Sequence, residues 1–97
     1  MSGYTLHQIC ELLELDEGFA AELVREAVLV ADAEQGRFSA DMFERARVAR
    51  EMVLELEVNV AGAAVIVRMR EELVELRRLA GELARALAIE RGRSRSL

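Results

Sequence analysis

Cys10 and His7 are the side chains of this sequence best suited to chemistry, since each is the chain's only residue of its type. A thiol and an imidazole three residues apart could share a metal ion or act as a nucleophile and its general base. A structural zinc site takes four such ligands, however, and no serine–histidine–acid grouping or glycine-rich phosphate loop accompanies the pair. The sequence therefore predicts no catalytic residue, no metal site and no cofactor.

The composition predicts one small, mainly helical chain. Its 97 residues are 53% hydrophobic and 32% charged, with no proline and 4% aromatics, which is typical of a helical domain or a domain with an extended helix. The lone cysteine excludes an intrachain disulfide and favours a reducing, cytoplasmic setting. No apolar run approaches the roughly 18 residues of a membrane-spanning helix. The first residues lack a basic segment, so we expect no signal peptide.

Capping signals divide the first half of the chain into helices. Thr5 followed by Gln8 is a capping box that predicts a first helix, and Asp16 predicts the cap of a second. Two short helices with a tight connection are a helix-turn-helix arrangement. Residues 28–30 and 37–38 are predicted to pair as a small β wing, because Glu34–Gly36 between them reads as a turn. Ser39 then caps a third helix that is predicted to reach about Glu57.

The second half of the chain predicts one long helix. Asn59 caps it, and no strong helix breaker follows before about Glu90. Large apolar residues recur at alternating spacings of three and four, the pattern of a coiled-coil seam. Five or six such side chains left in water would cost on the order of 10 kcal/mol, so we expect the seam to join a second copy of the chain. The predicted dimerisation residues are Ile66, Met69, Leu73, Leu76 and Leu83.

The organisation that follows from these elements has three parts. Residues 4–57 form a winged helix-turn-helix domain, residues 58–90 form the dimerisation helix, and residues 91–97 form a basic tail that we expect to be disordered.

Charge separates the two halves of the chain. Residues 4–57 hold thirteen carboxylates and five arginines, a net charge of −8, whereas residues 58–97 carry +3. DNA affinity depends on basic side chains that neutralise phosphates. The amino-terminal domain has the opposite sign, which favours a basic protein surface as its partner.

The layout of helix-turn-helix, wing, third helix and coiled coil resembles MerR-type regulators. Residues 4–6, 10–12 and 37–39 are similar to the CbpM family, which modulates the DnaJ-like co-chaperone CbpA. The most specific segment is Leu56–Ile66, with the sequence Leu-Glu-Val-Asn-Val-Ala-Gly-Ala-Ala-Val-Ile. Leu73 and the run Leu-Arg-Arg-Leu at 76–79 follow it, and the resemblance covers about Tyr4 to Leu87.

This resemblance implies a chaperone modulator with a MerR-like fold, which is not an enzyme and forms homodimers. Such a protein binds the J-domain of its co-chaperone and inhibits the action of that co-chaperone on the Hsp70 chaperone DnaK. J-domains use a basic helix to engage Hsp70, and acidic residues of the first two helices could cover it. The candidate partner-binding residues are Glu11, Glu14, Glu22, Arg25 and Glu26.

Two alternatives stay open from the residues alone. A MerR-type transcription regulator would insert its second helix into the major groove of DNA, although the helix after Asp16 carries three carboxylates and one arginine up to Ala27. A scaffold protein would act only through its coiled coil. We expect a protein partner and a second copy of the chain rather than DNA, and no membrane.

Overall fold

Four α-helices account for most of residues 3–96, the part of the chain described by this computed structural model. Helix α1 spans Leu6–Leu13, α2 spans Glu17–Arg25, α3 spans Ala40–Leu56 and α4 spans Val60–Ser96. The expected mainly helical fold with a long carboxyl-terminal helix is confirmed. Among the described residues, no helix combines the length and the apolar character that crossing a membrane requires.

Each helix begins at the polar residue that the sequence predicts as its cap. The side-chain oxygens of Thr5, Asp16, Ser39 and Asn59 each accept a hydrogen bond from the backbone N–H three residues further on, at 2.7–3.2 Å. Gln8 completes the capping box, because its side chain accepts a hydrogen bond from the backbone N–H of Thr5 at 2.8 Å. These bonds satisfy N–H groups that the helix itself leaves without a partner, and the predicted caps are confirmed.

The chain divides into two compact units, residues 1–67 and 68–97. The core of the first unit is built from Ile9 of α1, Leu23 of α2 and Ala46 and Ala49 of α3, all fully buried. The first turns of α4 add four buried side chains, which are Val60, Ala63, Ala64 and Val67. The compact unit therefore extends ten residues beyond the predicted boundary at residue 57 and includes about two turns of α4, which supply part of its core.

The predicted β wing differs from the structure, in which no strand occurs among residues 3–96. Val28 and Leu29 are buried, and both of their N–H groups donate to the carbonyl of Leu23 at the end of α2. Phe38 pairs instead with Tyr4, through two backbone hydrogen bonds of 2.7 and 2.8 Å. A short run of apolar residues has the same sequence pattern whether it forms a buried turn or a strand. The pattern therefore predicted a strand at residues 28–30, where the structure has a buried turn.

A tight turn takes the place of the hairpin. Within it, Asp32 donates its N–H to the carbonyl of Arg37 at 2.8 Å and accepts from the N–H of Gly36 at 3.1 Å. Gly36 has a φ of 65°, a left-handed conformation that glycine adopts without steric penalty. The segment thus reverses direction through one turn and delivers Phe38 to the core.

The carboxyl-terminal residues also differ from expectation. Helix α4 continues through Ser96, so residues 91–96 are helical rather than a disordered tail. Three arginines and two serines of this run suit a helix, since arginine ranks near the top of the helix propensity scale and serine in the middle, and they outnumber the single unfavourable Gly92. Leu97, the last residue of the predicted tail, lies outside the described residues.

Candidate partner-binding surfaces

A groove between α1 and α2 is a concave surface of the first unit that combines apolar and acidic side chains. Its floor consists of Cys10, Leu15 and Ala20, which are half-buried or buried. The exposed side chains that complete its wall are Leu6, His7, Glu11, Glu17 and Ala21. We call this the α1–α2 groove. Its volume of about 570 Å³ lies within the range of roughly 300–1,000 Å³ that ligand pockets occupy.

Two carboxylates give the groove a negative electrostatic potential. Glu11 lies one turn beyond His7 on α1, with 2.8 Å between its carboxylate and the imidazole. Glu17 lies in the first turn of α2, where the helix dipole favours a negative charge. Burial raises the pKa of the Cys10 thiol, and the charges of Glu17 and Asp16 raise it further. The groove therefore disfavours additional negative charge and favours cations.

The five predicted partner-binding residues lie at separate places on α1 and α2, and only Glu11 lines the α1–α2 groove. Glu11 lines the α1–α2 groove, whereas Glu14 lies at the carboxyl end of α1. The backbone of Glu14 has a φ of 54° and caps the helix, with its N–H donating to the carbonyl of Cys10. Glu22 and Arg25 are exposed five and eight residues after Glu17, about 140° and 80° around the helix from it. Glu26 is half-buried at the end of α2.

Glu17 is not among the partner-binding residues predicted from the sequence, although it lines the groove. Once Asp16 is set as the cap, Glu17, Ala20 and Ala21 stand at spacings i, i+3 and i+4, which is one face of a helix. Two alanines on that face leave space where larger residues would close the groove. The small side chains were the signal that could have located it.

The second unit presents an apolar stripe along α4. Met69, Leu73, Leu76 and Leu83 are exposed, and Leu76 and Leu83 expose 63% and 62% of their surface. Ile66 is half-buried, because it lies in the part of α4 that packs into the first unit. We call the side chains of Met69, Leu73, Leu76 and Leu83 the α4 stripe. Leucines at these spacings face one side of the helix, so the stripe is a continuous surface without an intrachain cover among the described residues.

The opposite face of α4 carries a cluster of ion pairs, beside the exposed apolar side chains of Val74 and Ile89. Arg78 lies two residues from Leu76, about 200° around the axis, and binds Glu75 and Glu82 at 2.5 Å each. Hydrogen bonding to Arg78 holds the pKa of Glu75 below its usual range, and hydrogen bonding to Glu75 raises that of Arg78. The ion pairs on this side leave the α4 stripe as the longer apolar surface of the helix, which favours a partner on the side of the stripe.

No group of three or more metal-ligating side chains occurs among residues 3–96. His7 and Cys10 both line the α1–α2 groove, but the nearest polar partner of the imidazole is Glu11. In comparisons with protein-family models, curated proteins and solved structures, no match to this chain was found.

Proposed function

We propose that the chain is a chaperone modulator that binds the J-domain of a CbpA/DnaJ-like co-chaperone and inhibits its action on the Hsp70 chaperone DnaK. The observation that carries the proposal is the α1–α2 groove, which joins an apolar floor to the carboxylates of Glu11 and Glu17. The surrounding residues 4–57 have a net charge of −8. The resemblance of residues 4–6, 10–12, 37–39 and 56–66 to the CbpM family supplies the class of partner.

The inhibition would work by competition for one surface. A J-domain presents a basic helix to Hsp70, and a helix seated in the groove is no longer available to the chaperone. Complementary charge mainly accelerates association and selects the partner. The apolar floor provides most of the affinity, because buried anchors dominate the binding energy of protein interfaces.

The helix order supports a MerR-like plan for the first unit. In this plan α1 and α2 are the helix-turn-helix, the turn at 32–37 stands where a wing would be, and α3 leads into α4. The α4 stripe supports a homodimer, since a second copy offers the same apolar face and the same spacing. Each copy would then contribute one α1–α2 groove.

The test is calorimetric titration of the full chain with the isolated J-domain, with a random DNA duplex as the parallel titrant. We expect saturable J-domain binding and no binding of the duplex. A chain with Glu11→Gln and Glu17→Gln should bind the J-domain with an association rate, measured by surface plasmon resonance, about tenfold lower at low salt, and the difference should shrink as salt screens the charges.

A matched control removes two carboxylates elsewhere in the same unit. Asp41 lies in the first turn of α3, as Glu17 does in α2, and Glu55 is exposed further along α3. Asp41→Asn with Glu55→Gln makes the same change in net charge and should leave the association rate close to that of the original chain. An equal decrease of the association rate in both double variants would show that binding depends on net charge alone. Binding of the duplex in place of the J-domain would overturn the proposal.

A further inference from the structure

Small side chains shape the α2 side of the α1–α2 groove. Ala20 is 1% exposed and Ala21 is exposed, and both line the groove beside Glu17. Across from them, the half-buried Cys10 and Leu15 complete the apolar surface. Methyl groups on one side and a thiol on the other leave an apolar space that the chain itself does not fill.

We propose that this space seats one large apolar side chain from a basic amphipathic helix, while Glu11 and Glu17 bind cations on the turns that flank it. The inference rests on the proposed function and identifies the feature of the partner that the groove recognises. An anchor residue in a desolvated pocket, with charges at the rim, is the arrangement that carries most affinity in helix-in-groove recognition.

The charges favour a basic helix over a neutral one. Glu17 has no ion-pair partner among the described residues, and its charge acts on the Cys10 thiol across the groove. A neutral apolar helix would bury the Glu17 carboxylate without compensating it, which costs free energy. A lysine or arginine one turn from the anchor removes that cost and explains why the apolar and acidic features occur together.

Filling the space from the protein side tests the anchor. Ala21→Leu places a larger side chain in the groove at an exposed position, so the core is not overpacked. Ala61→Leu makes the same change at an exposed position in the first turn of α4. We expect Ala21→Leu to weaken J-domain binding roughly 30-fold, the loss typical of a hot-spot contact, and Ala61→Leu to leave it unchanged. Equal melting temperatures would show that both variants fold.

Two synthetic peptides test the anchor from the partner side. One is a lysine-rich amphipathic helix with a single leucine on its apolar face, and the other has alanine in place of that leucine. The leucine peptide should bind the original chain more tightly than the alanine peptide does. The two peptides should bind the Ala21→Leu variant equally. Equal binding of the two peptides to the original chain would overturn the inference.

Cys10 reports occupation of the groove directly, since it is the only cysteine of the chain. A bound J-domain should slow the alkylation of Cys10 by N-ethylmaleimide in the original chain. If the J-domain binds but neither protects Cys10 nor responds to Ala21→Leu, the inference is wrong and the proposed function stands. If the J-domain does not bind but the leucine peptide does and Ala21→Leu abolishes it, the groove inference stands and the proposed function is wrong.

Discussion

Truncation of Leu76 to alanine tests whether the α4 stripe is covered by a second copy of the chain. Leu76 exposes 63% of its surface, so in an isolated helix its removal should have little effect on stability. In a two-stranded coiled coil the same side chain would lose its contact with water on both helices. The substitution therefore has different expected effects in a monomer and in a dimer.

The exposed fraction of Leu76 gives the size of the expected effect of truncation on the stability of the dimer. Full burial of a leucine stabilises by about 2 kcal/mol, so covering the exposed 63% contributes about 1.3 kcal/mol per helix. Two symmetric copies give about 2.5 kcal/mol per dimer, which corresponds to a roughly 70-fold increase in the dissociation constant on truncation. In a monomer the cost is limited to the smaller part of the side chain that α4 already covers.

Sedimentation velocity over a range of protein concentrations measures the dissociation constant of each variant. Leu54 provides the matched control, because it lies on α3, outside the stripe, and exposes 64% of its surface. We expect Leu76→Ala to shift the dimerisation midpoint by roughly 70-fold and Leu54→Ala to leave it in place. A monomeric original chain at every concentration, or equal shifts for the two variants, would refute a dimer through the stripe.

Three further predictions follow from other positions. Glu14→Gly should raise the free energy of unfolding by roughly 0.5–1 kcal/mol, measured by urea denaturation, because glycine relieves the left-handed backbone; a decrease would contradict this role. Glu17→Gln should lower the pKa of Cys10 and so accelerate its alkylation at fixed pH, because one of the charges that oppose thiolate formation is lost; an unchanged rate would show that Glu17 does not act on the groove. The pKa of Glu75 is lowered in the folded chain, so its contribution to stability is present above its ordinary pKa and is lost as pH falls through the lowered value. Circular dichroism should show this acid loss of helix weakened in Arg78→Gln, and an identical pH profile would contradict the pairing.

The helix starts were predictable because their causes are local. Thr5, Asp16, Ser39 and Asn59 act through hydrogen bonds to N–H groups three residues away. Such a bond needs only a short polar side chain and the following turn, both of which a sequence displays. The spacing of the α4 leucines is local in the same sense, since the helical repeat alone places them on one face.

Features that depend on contacts distant in sequence were not predictable in the same way. Phe38 pairs with Tyr4 rather than with residues 28–30, because the buried turn after α2 satisfies the N–H groups of Val28 and Leu29 first. The inclusion of Val67 in the first core required knowledge of which α4 residues reach the other helices. The α1–α2 groove also depends on how two helices approach each other, which the periodicity of either helix alone does not specify.

The amino terminus of α2 argues against the DNA-binding alternative on geometric as well as electrostatic grounds. A helix amino terminus binds phosphate through its free backbone N–H groups and its positive dipole end. Here the carboxylate of Asp16 already accepts the N–H of Phe19 at 2.7 Å, and Glu17 adds a second negative charge in the same turn. A phosphate would have to displace one carboxylate and approach another, whereas a lysine or arginine would find both charges available. The charge of this turn therefore disfavours a nucleic-acid backbone and favours a basic protein helix.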